Sequence, residues 1–320
     1  MLNAISTEEY VREVLPRSFD LWGAERSFET YVHDLEAVAR SAFARRRPFT
    51  VGLRHDGAIA SSAKLYGREL RHGQRTLKAT GFGAIFTQPE YRGRGYASAM
   101  LGALLDAECA AGADLGFLFA DIDPLFYERL GFVRVPSRAI SLRSRSLDPA
   151  IVPWTPLGQG DWAGIRRCFE ALDARAEWSF RRTPHVWEFM RSKWSQTLPR
   201  HTQRVDLVAR RGRSVAAYVL SRRVADRDTL AVDDLAFADD DARELIGPLL
   251  RAAAGDLARV KAWLPPAVAR AALPRGSVRP REDGIFMGAG LTRAGRAWLA
   301  AVAGDGQAEP REACWNADHI

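Results

Sequence analysis

The chain has little lysine, little cysteine and no long apolar run. Only Lys64, Lys78, Lys193 and Lys261 among its 46 basic residues are lysines, so arginine carries nearly all of the net charge of +7. The arginines are spread over the whole length, with no run longer than Arg45-Arg46-Arg47. No zinc-finger, homeodomain or aromatic stacking signature accompanies them, which argues against nucleic acid as the main partner. Cys109, Cys168 and Cys314 lie far apart without a Cys-x-x-Cys pair. They read as reduced thiols of a cytoplasmic protein, and no metal site is expected. His33, His55, His72, His185 and His201 also stand alone without ligand spacing. No apolar stretch approaches the roughly 18 residues that span a membrane. The segment Ser6-Thr7-Glu8-Glu9 looks like a helix start rather than part of a signal peptide. At 320 residues, with 27% charged, the chain has the length and composition of two globular domains.

The strongest positive signal is Gln88-Pro89-Glu90-Tyr91-Arg92-Gly93-Arg94-Gly95-Tyr96-Ala97, between an apolar strand ending near Thr87 and an amphipathic helix. Ala97, Met100, Leu101, Leu104 and Leu105 fall on one helical face, and Gly112 marks its end. A glycine-rich loop at a helix N-terminus presents unpaired backbone N–H groups and the positive end of the helix dipole, which suits a diphosphate. Arg92 and Arg94 add charge, and Gly93 and Gly95 permit close approach. A Walker loop is excluded because no Gly-Lys-Ser/Thr follows. A dinucleotide fingerprint fails at Ser98 and in its context, a meander of antiparallel strands.

Arg92, Gly95 and Ala97 also fit Arg-x-x-Gly-x-Ala, which resembles the pyrophosphate loop of the GCN5-related N-acetyltransferase (GNAT) superfamily. About 30 residues on, after the apolar run Leu115–Ala120, Phe126-Tyr127-Glu128-Arg129-Leu130-Gly131-Phe132 closely resembles a second element of that superfamily. Phe119-Ala120-Asp121-Ile122 is similar to an element of fungal-type lysine N6-acetyltransferases. The layout of two halves is similar to the enhanced intracellular survival acetyltransferases. The resemblance implies acetyl-CoA as co-substrate, held by Phe86, Thr87, Arg92, Gly93, Arg94, Gly95, Tyr96 and Ala97, and Tyr127 as the acid that protonates the departing thiolate. Many members carry an asparagine where this chain has Ala120.

The second half repeats the order of the first. Helices over 161–172 and 184–194 precede strands 205–210 and 215–221, joined at Arg211-Gly212-Arg213, then strand 230–237, helix 241–254 and strand 259–264. The expected fold is therefore α/β, with tandem GNAT-like domains, each a mixed, mostly antiparallel sheet flanked by helices. The expected division is 1–145 for the cofactor-binding catalytic domain, 146–290 for a degenerate copy and 291–320 for a C-terminal helix and tail. The Ser- and Arg-rich stretch after Pro136 reads as the link. The copy has Ala238-Asp239-Asp240-Asp241 where the first half has its loop, and those carboxylates would repel a diphosphate.

Acetyl transfer to an amine needs a donor for the thioester oxygen, for which a backbone N–H near Phe86–Thr87 is suited, and an acid for the thiolate. It also needs a neutral amine, and a lysine-like amine costs roughly 4.6 kcal/mol to deprotonate at pH 7. Glu69, Glu90, Asp121, Asp123 and the C-terminal residues are candidate bases. The expected function is transfer of acetyl to a primary amine of a small molecule such as lysine. A non-catalytic acyl-CoA sensor or interaction protein is the alternative. The tail 314–320 is expected to dock between the halves, bringing Asp318, His319 and the terminal carboxylate near the acceptor.

Overall fold

A computed structural model of the chain describes residues 2–274, 276–303 and 316–318. Two mixed sheets organise it. The first holds β1 (Leu2–Ala4), β2 (Thr50–His55), β3 (Ala58–His72), β4 (Arg75–Thr87), β5 (Leu115–Ala120), β6 (Val133–Arg134), β9 (Trp178–Phe180) and β16 (Ile285–Gly290). Its order is β1-β2-β3-β4-β5-β16-β6, with β9 paired to β3. The second holds β7 (Arg138–Arg143), β8 (Trp154–Pro156), β10 (Thr202–Arg204), β11 (Leu207–Arg211), β12 (Ser214–Val224), β13 (Thr229–Phe237), β14 (Arg259–Ala262) and β15 (Ser277–Pro280). Its order is β15-β7-β14-β13-β12-β11-β8, with β10 on β12. In each sheet the pair around the long helix, β4–β5 and β13–β14, is parallel, while the other pairs are antiparallel. This is the tandem arrangement expected from the repeat.

Helices α1 (Thr7–Glu9), α2 (Leu15–Trp22), α3 (Phe28–Ala39), α4 (Tyr96–Ala110) and α5 (Leu125–Glu128) belong to the first half. Helices α6 (Trp162–Asp173), α7 (Pro184–Trp194), α8 (Ile246–Ala254) and α9 (Pro266–Ala272) belong to the second, and α10 (Arg293–Val302) packs on β16. Ser6 and Glu9 form a reciprocal capping box at the first helix start (2.8 and 3.0 Å). The helical path continues past Leu15 to Trp22. A π turn over Tyr10–Val14 places Pro16 in the first turn of α2, where its missing N–H is not needed. Ser27 caps α3, its side chain accepting the Thr30 N–H, and the helix ends at Ala39.

The two halves exchange strands, so the expected divisions after residues 145 and 290 do not follow the sheets. Arg138–Arg143, expected as linker, is β7 and pairs with β14 of the second sheet. Its Ile140 and Leu142 are buried at a period of two among polar neighbours. In return Ile285–Gly290 forms β16 beside β5 of the first sheet. Each half completes the other at the equivalent position, next to the strand that follows the long helix. An aromatic layer including Phe117, Phe119, Trp178, Phe180, Trp263, Phe286 and Trp298 fills the space between the sheets. No helix among the described residues is long and apolar enough to cross a membrane.

Candidate active site

The site begins where two parallel strands part. β4 and β5 pair only from Ala79–Leu115 to Gly81–Phe117. β5 is held along its other edge by β16, from Leu115 to Ala120, while β4 stays on β3 as far as Thr87. The β5-facing edge of β4 from Phe82 onward thus has no strand partner among the described residues. A register shift between Ser62 and Lys64 accompanies it, with Ala84 at φ 46°. A left-handed residue with a side chain costs of order 1–3 kcal/mol and persists only where its surroundings hold it. The Gln88 N–H turns inward to the Ala60 carbonyl (3.0 Å). Alternation along the strand therefore turns the Thr87 N–H toward the gap. The Phe86 ring is buried, and its carbonyl accepts from Ser61 Oγ (3.0 Å). The Thr87 hydroxyl pairs with Ser61 Oγ (3.1 Å).

At the mouth of this gap stands the N-terminus of α4. Gly93 and Gly95 have φ of 74° and 80°, and an added Cβ would meet nothing within 4 Å at either. Glycine is required there by backbone conformation, and the space around it is open. Gly95 is the N-cap, gives no side-chain cap, and the first turn of α4 carries no acidic residue. The amides of Tyr96 and Ala97 are left to an external acceptor, which is the condition an anion site needs. Arg92 folds back, donating from Nε to the Thr87 carbonyl (3.1 Å) with its guanidinium 5.6 Å from the Phe86 ring. Arg94 is exposed. His55, Tyr91 and Tyr96 pack against one another with ring centroids 5.4–5.7 Å apart, bracing the loop. These residues fit a diphosphate. The corresponding turn of the second half does not: Asp239 accepts the Ala242 N–H (2.8 Å) and pairs with Arg211 (3.0 Å), while Asp240 pairs with Arg175 (2.6 Å).

Tyr127 sits on α5 at the end of β5, 6% exposed, packed with Phe82, Leu118, Ala120 and Phe132. Its hydroxyl has no hydrogen-bond partner among the described residues. Burial, reinforced by Asp121, pushes the phenol up to about 12, so it holds its proton throughout the neutral range.

Strand alternation separates two faces. Ala63, Leu65, Leu118 and Ala120 pack with α4. Lys64, Tyr66, Arg68, Phe117 and Phe119 point the other way, toward the second half. Asp121 continues that second face, lining a cavity of about 660 Å³ whose wall carries Arg222, Lys261, Arg279 and Arg281. It accepts the Gly284 N–H (3.1 Å), and burial raises its affinity for a proton. The other candidate bases are committed elsewhere. Glu69 pairs with Arg181 (2.9 Å), Glu90 with Arg17 (3.0 Å), and Asp123 caps the Leu125 N–H (3.0 Å).

Asn316–Asp318 docks between the halves, as expected for the tail. Its role differs from expectation, because Asp318 is 1% exposed and tied to Arg68 (3.0 Å) and Arg182 (3.2 Å). Arg182 in turn reaches Asp234 on β13 (2.5 Å). A carboxylate held by two guanidiniums is an anchor, not a free base. His319 and the terminal carboxylate lie outside the described residues, as does residue 314. Sequence reasoning singled out none of Lys64, Lys193, Arg68, Arg182 and Asp234.

Residues 9–135 match the family described as an acetyltransferase (GNAT) domain. This stretch, which holds the glycine loop and Tyr127, is thus similar to a GNAT acetyltransferase domain. A search of curated proteins gives no match. Among solved structures, a GCN5-related N-acetyltransferase from Anabaena variabilis is similar over 92% of this chain and 74% of its own, at 14% identity and a TM-score of 0.71. Eis1 from Mycobacterium abscessus is similar over 91% and 73%, at 16% identity and a TM-score of 0.58. A tandem GNAT protein from the clavulanic acid biosynthesis pathway is similar over 91% and 98%, at 14% identity and a TM-score of 0.52. At such identities the likeness shows the fold. The shared fold is the two mixed sheets in tandem.

Proposed function

We propose that this chain transfers an acetyl group from acetyl-CoA to a primary amine of a small molecule, lysine or a related amine. One observation carries the reading. The gap between β4 and β5 lies between an uncapped helix N-terminus and a buried tyrosine whose hydroxyl is free to donate. Coenzyme A supplies an activated thioester. The amides at Gly93–Ala97, with Arg92 and Arg94, bind its diphosphate, and the Thr87 N–H faces the place where the thioester oxygen belongs. Tyr127 keeps a proton on its hydroxyl for the leaving sulfur. The acceptor arrives from the opposite face, in the cleft walled by the second half, and Asp121 is the carboxylate best placed to receive a proton there. The first half binds the cofactor and carries the reaction, while the second shapes the acceptor cleft. Free thiol release from acetyl-CoA with a panel of primary amines tests the proposal. Binding of acetyl-CoA without turnover on any amine would overturn it.

A further inference from the structure

We infer that the acceptor amine also carries a carboxylate, and that the Lys64 ammonium binds this carboxylate in the cavity between β3, α3 and α7. The inference rests on the acyltransferase reading above. Only four of the chain's 46 basic residues are lysines, yet two of them, Lys64 and Lys193, line one cavity of about 120 Å³. Lys64 lies across the ladder from Gly83, beside the register shift at the rim of the gap, on the acceptor-facing side. It is 7% exposed.

No carboxylate or carbonyl among the described residues pairs with its Nζ, which faces the rings of Tyr10 (5.1 Å) and Phe49 (5.9 Å). The acidic group in this cavity is already committed: Asp34 pairs with Arg26 (3.4 Å) and accepts the Thr197 N–H (3.1 Å). Tyr31, Tyr66 and Gln196 are the other polar walls. Burial, with Lys193 adding repulsion, draws Lys64 down to about 8. A buried cation without a counter-charge is an expensive arrangement that an entering anion relieves. A carboxylate restores neutrality and accepts charge-assisted hydrogen bonds. Size points the same way. The cavity, about 120 Å³, has room for a carboxylate with its neighbouring carbons. A second cavity of about 290 Å³ shares Arg26, Lys193 and Gln196 with the first and leaves room for the rest of the acceptor.

The test compares matched acceptors in the thiol-release assay. Glycine, 4-aminobutyrate, 6-aminohexanoate and L-lysine are set against ethanolamine, 4-aminobutanol, 6-aminohexanol and lysinol. At least one acid should exceed its alcohol by about 10–100-fold in kcat/KM, the discrimination of one hydrogen-bonded charge. In Lys64→Met, and separately in Lys64→Gln, that preference should fall to within about threefold, with thermal melts reporting the fold of each variant. Equal kcat/KM for acids and alcohols in the unmodified enzyme overturns the inference without any variant, while leaving the acetyltransferase reading intact. So does a preference that survives both substitutions. If no amine is acetylated, the function reading fails, and calorimetric titration of the same pairs decides the remaining point. Acid binding that requires Lys64 supports the site, and equal binding of acid and alcohol, or none, removes it.

Discussion

Asp318→Asn probes the ion cluster that closes the two halves on each other. The side chains of Arg182 and Asp234 are fully buried, that of Asp318 is 1% exposed and that of Arg68 is 4%. Asparagine keeps the size of the side chain and one acceptor oxygen but takes a negative charge from both guanidiniums where water does not reach. Breaking a buried pair by removing one partner costs about 3–5 kcal/mol. At the lower end, the thermal midpoint should fall by roughly 6–12 °C, using the 2–4 °C per kcal/mol typical of large domains. The pH dependence is fixed as well. Burial alone would raise Asp318, but Arg182 and Arg68 outweigh it and hold the carboxyl below the usual range. A depressed carboxyl contributes its stability above the unfolded value near 3.9 and loses it as pH falls through the folded value. Asp234 shares Arg182, and burial with Asp318 adding raises it to about 6, so the comparison is made at pH 7 to 8, where melting curves of parent and variant should differ by a constant interval. A variant that melts within about 1 °C of the parent at pH 7, or an interval that closes between pH 7 and 8, would refute this reasoning.

Tyr127→Phe should bind acetyl-CoA normally and lose roughly 10²–10⁴ in kcat, the share of a positioned acid. Because the lost hydroxyl has no partner among the described residues, stability should move by no more than about 0.5 kcal/mol, and unchanged single-turnover rates would reduce the residue to packing. The parent's rate should show no loss from Tyr127 ionisation up to pH 9, since burial, with Asp121 adding, holds that phenol at about 12. Gly95→Glu places a side chain at φ 80° and a carboxylate in an anion site; calorimetry should find acetyl-CoA binding weakened at least 100-fold, against about one equivalent per parent chain. Residues 1–145 expressed alone should fail to give a cooperative melt, because β5 loses β16 and β7 loses β14. A folded, cofactor-binding fragment would show that the strand exchange is dispensable.

The glycine loop and the helix start after it were legible because their geometry is local. Gly93, Gly95, the start of α4 and Tyr127 occupy one continuous segment, and each follows from a rule about backbone conformation or helix ends. The strand exchange was not legible. In β7, Ile140 and Leu142 are the only strongly apolar signals among Arg138, Ser141 and Arg143, and a period of two names a strand without naming its sheet. β9 has three residues, too few to show a period at all. The tail was expected to bring carboxylates to the acceptor, whereas the described carboxylate, Asp318, is held by two guanidiniums.

The face of β3 turned away from α4 was hidden by an assumption about polar residues. Ser62, Lys64, Tyr66 and Arg68 alternate along β3 with Ala63, Leu65 and Gly67, a pattern that ordinarily marks a solvent face. In this fold a second domain covers that face, and all four polar residues are buried. The rule that buried polar groups find partners then becomes informative. Arg68 finds Asp318, contributed by the far end of the chain. The hydroxyl of Ser62 finds none, and Lys64 meets only aromatic faces among the described residues. Stability alone would favour an apolar residue at position 64. A lysine held there, in a chain that uses arginine for nearly all of its positive charge, points to a partner that arrives from outside, and the acid–alcohol comparison measures whether that partner is the acceptor's own carboxylate.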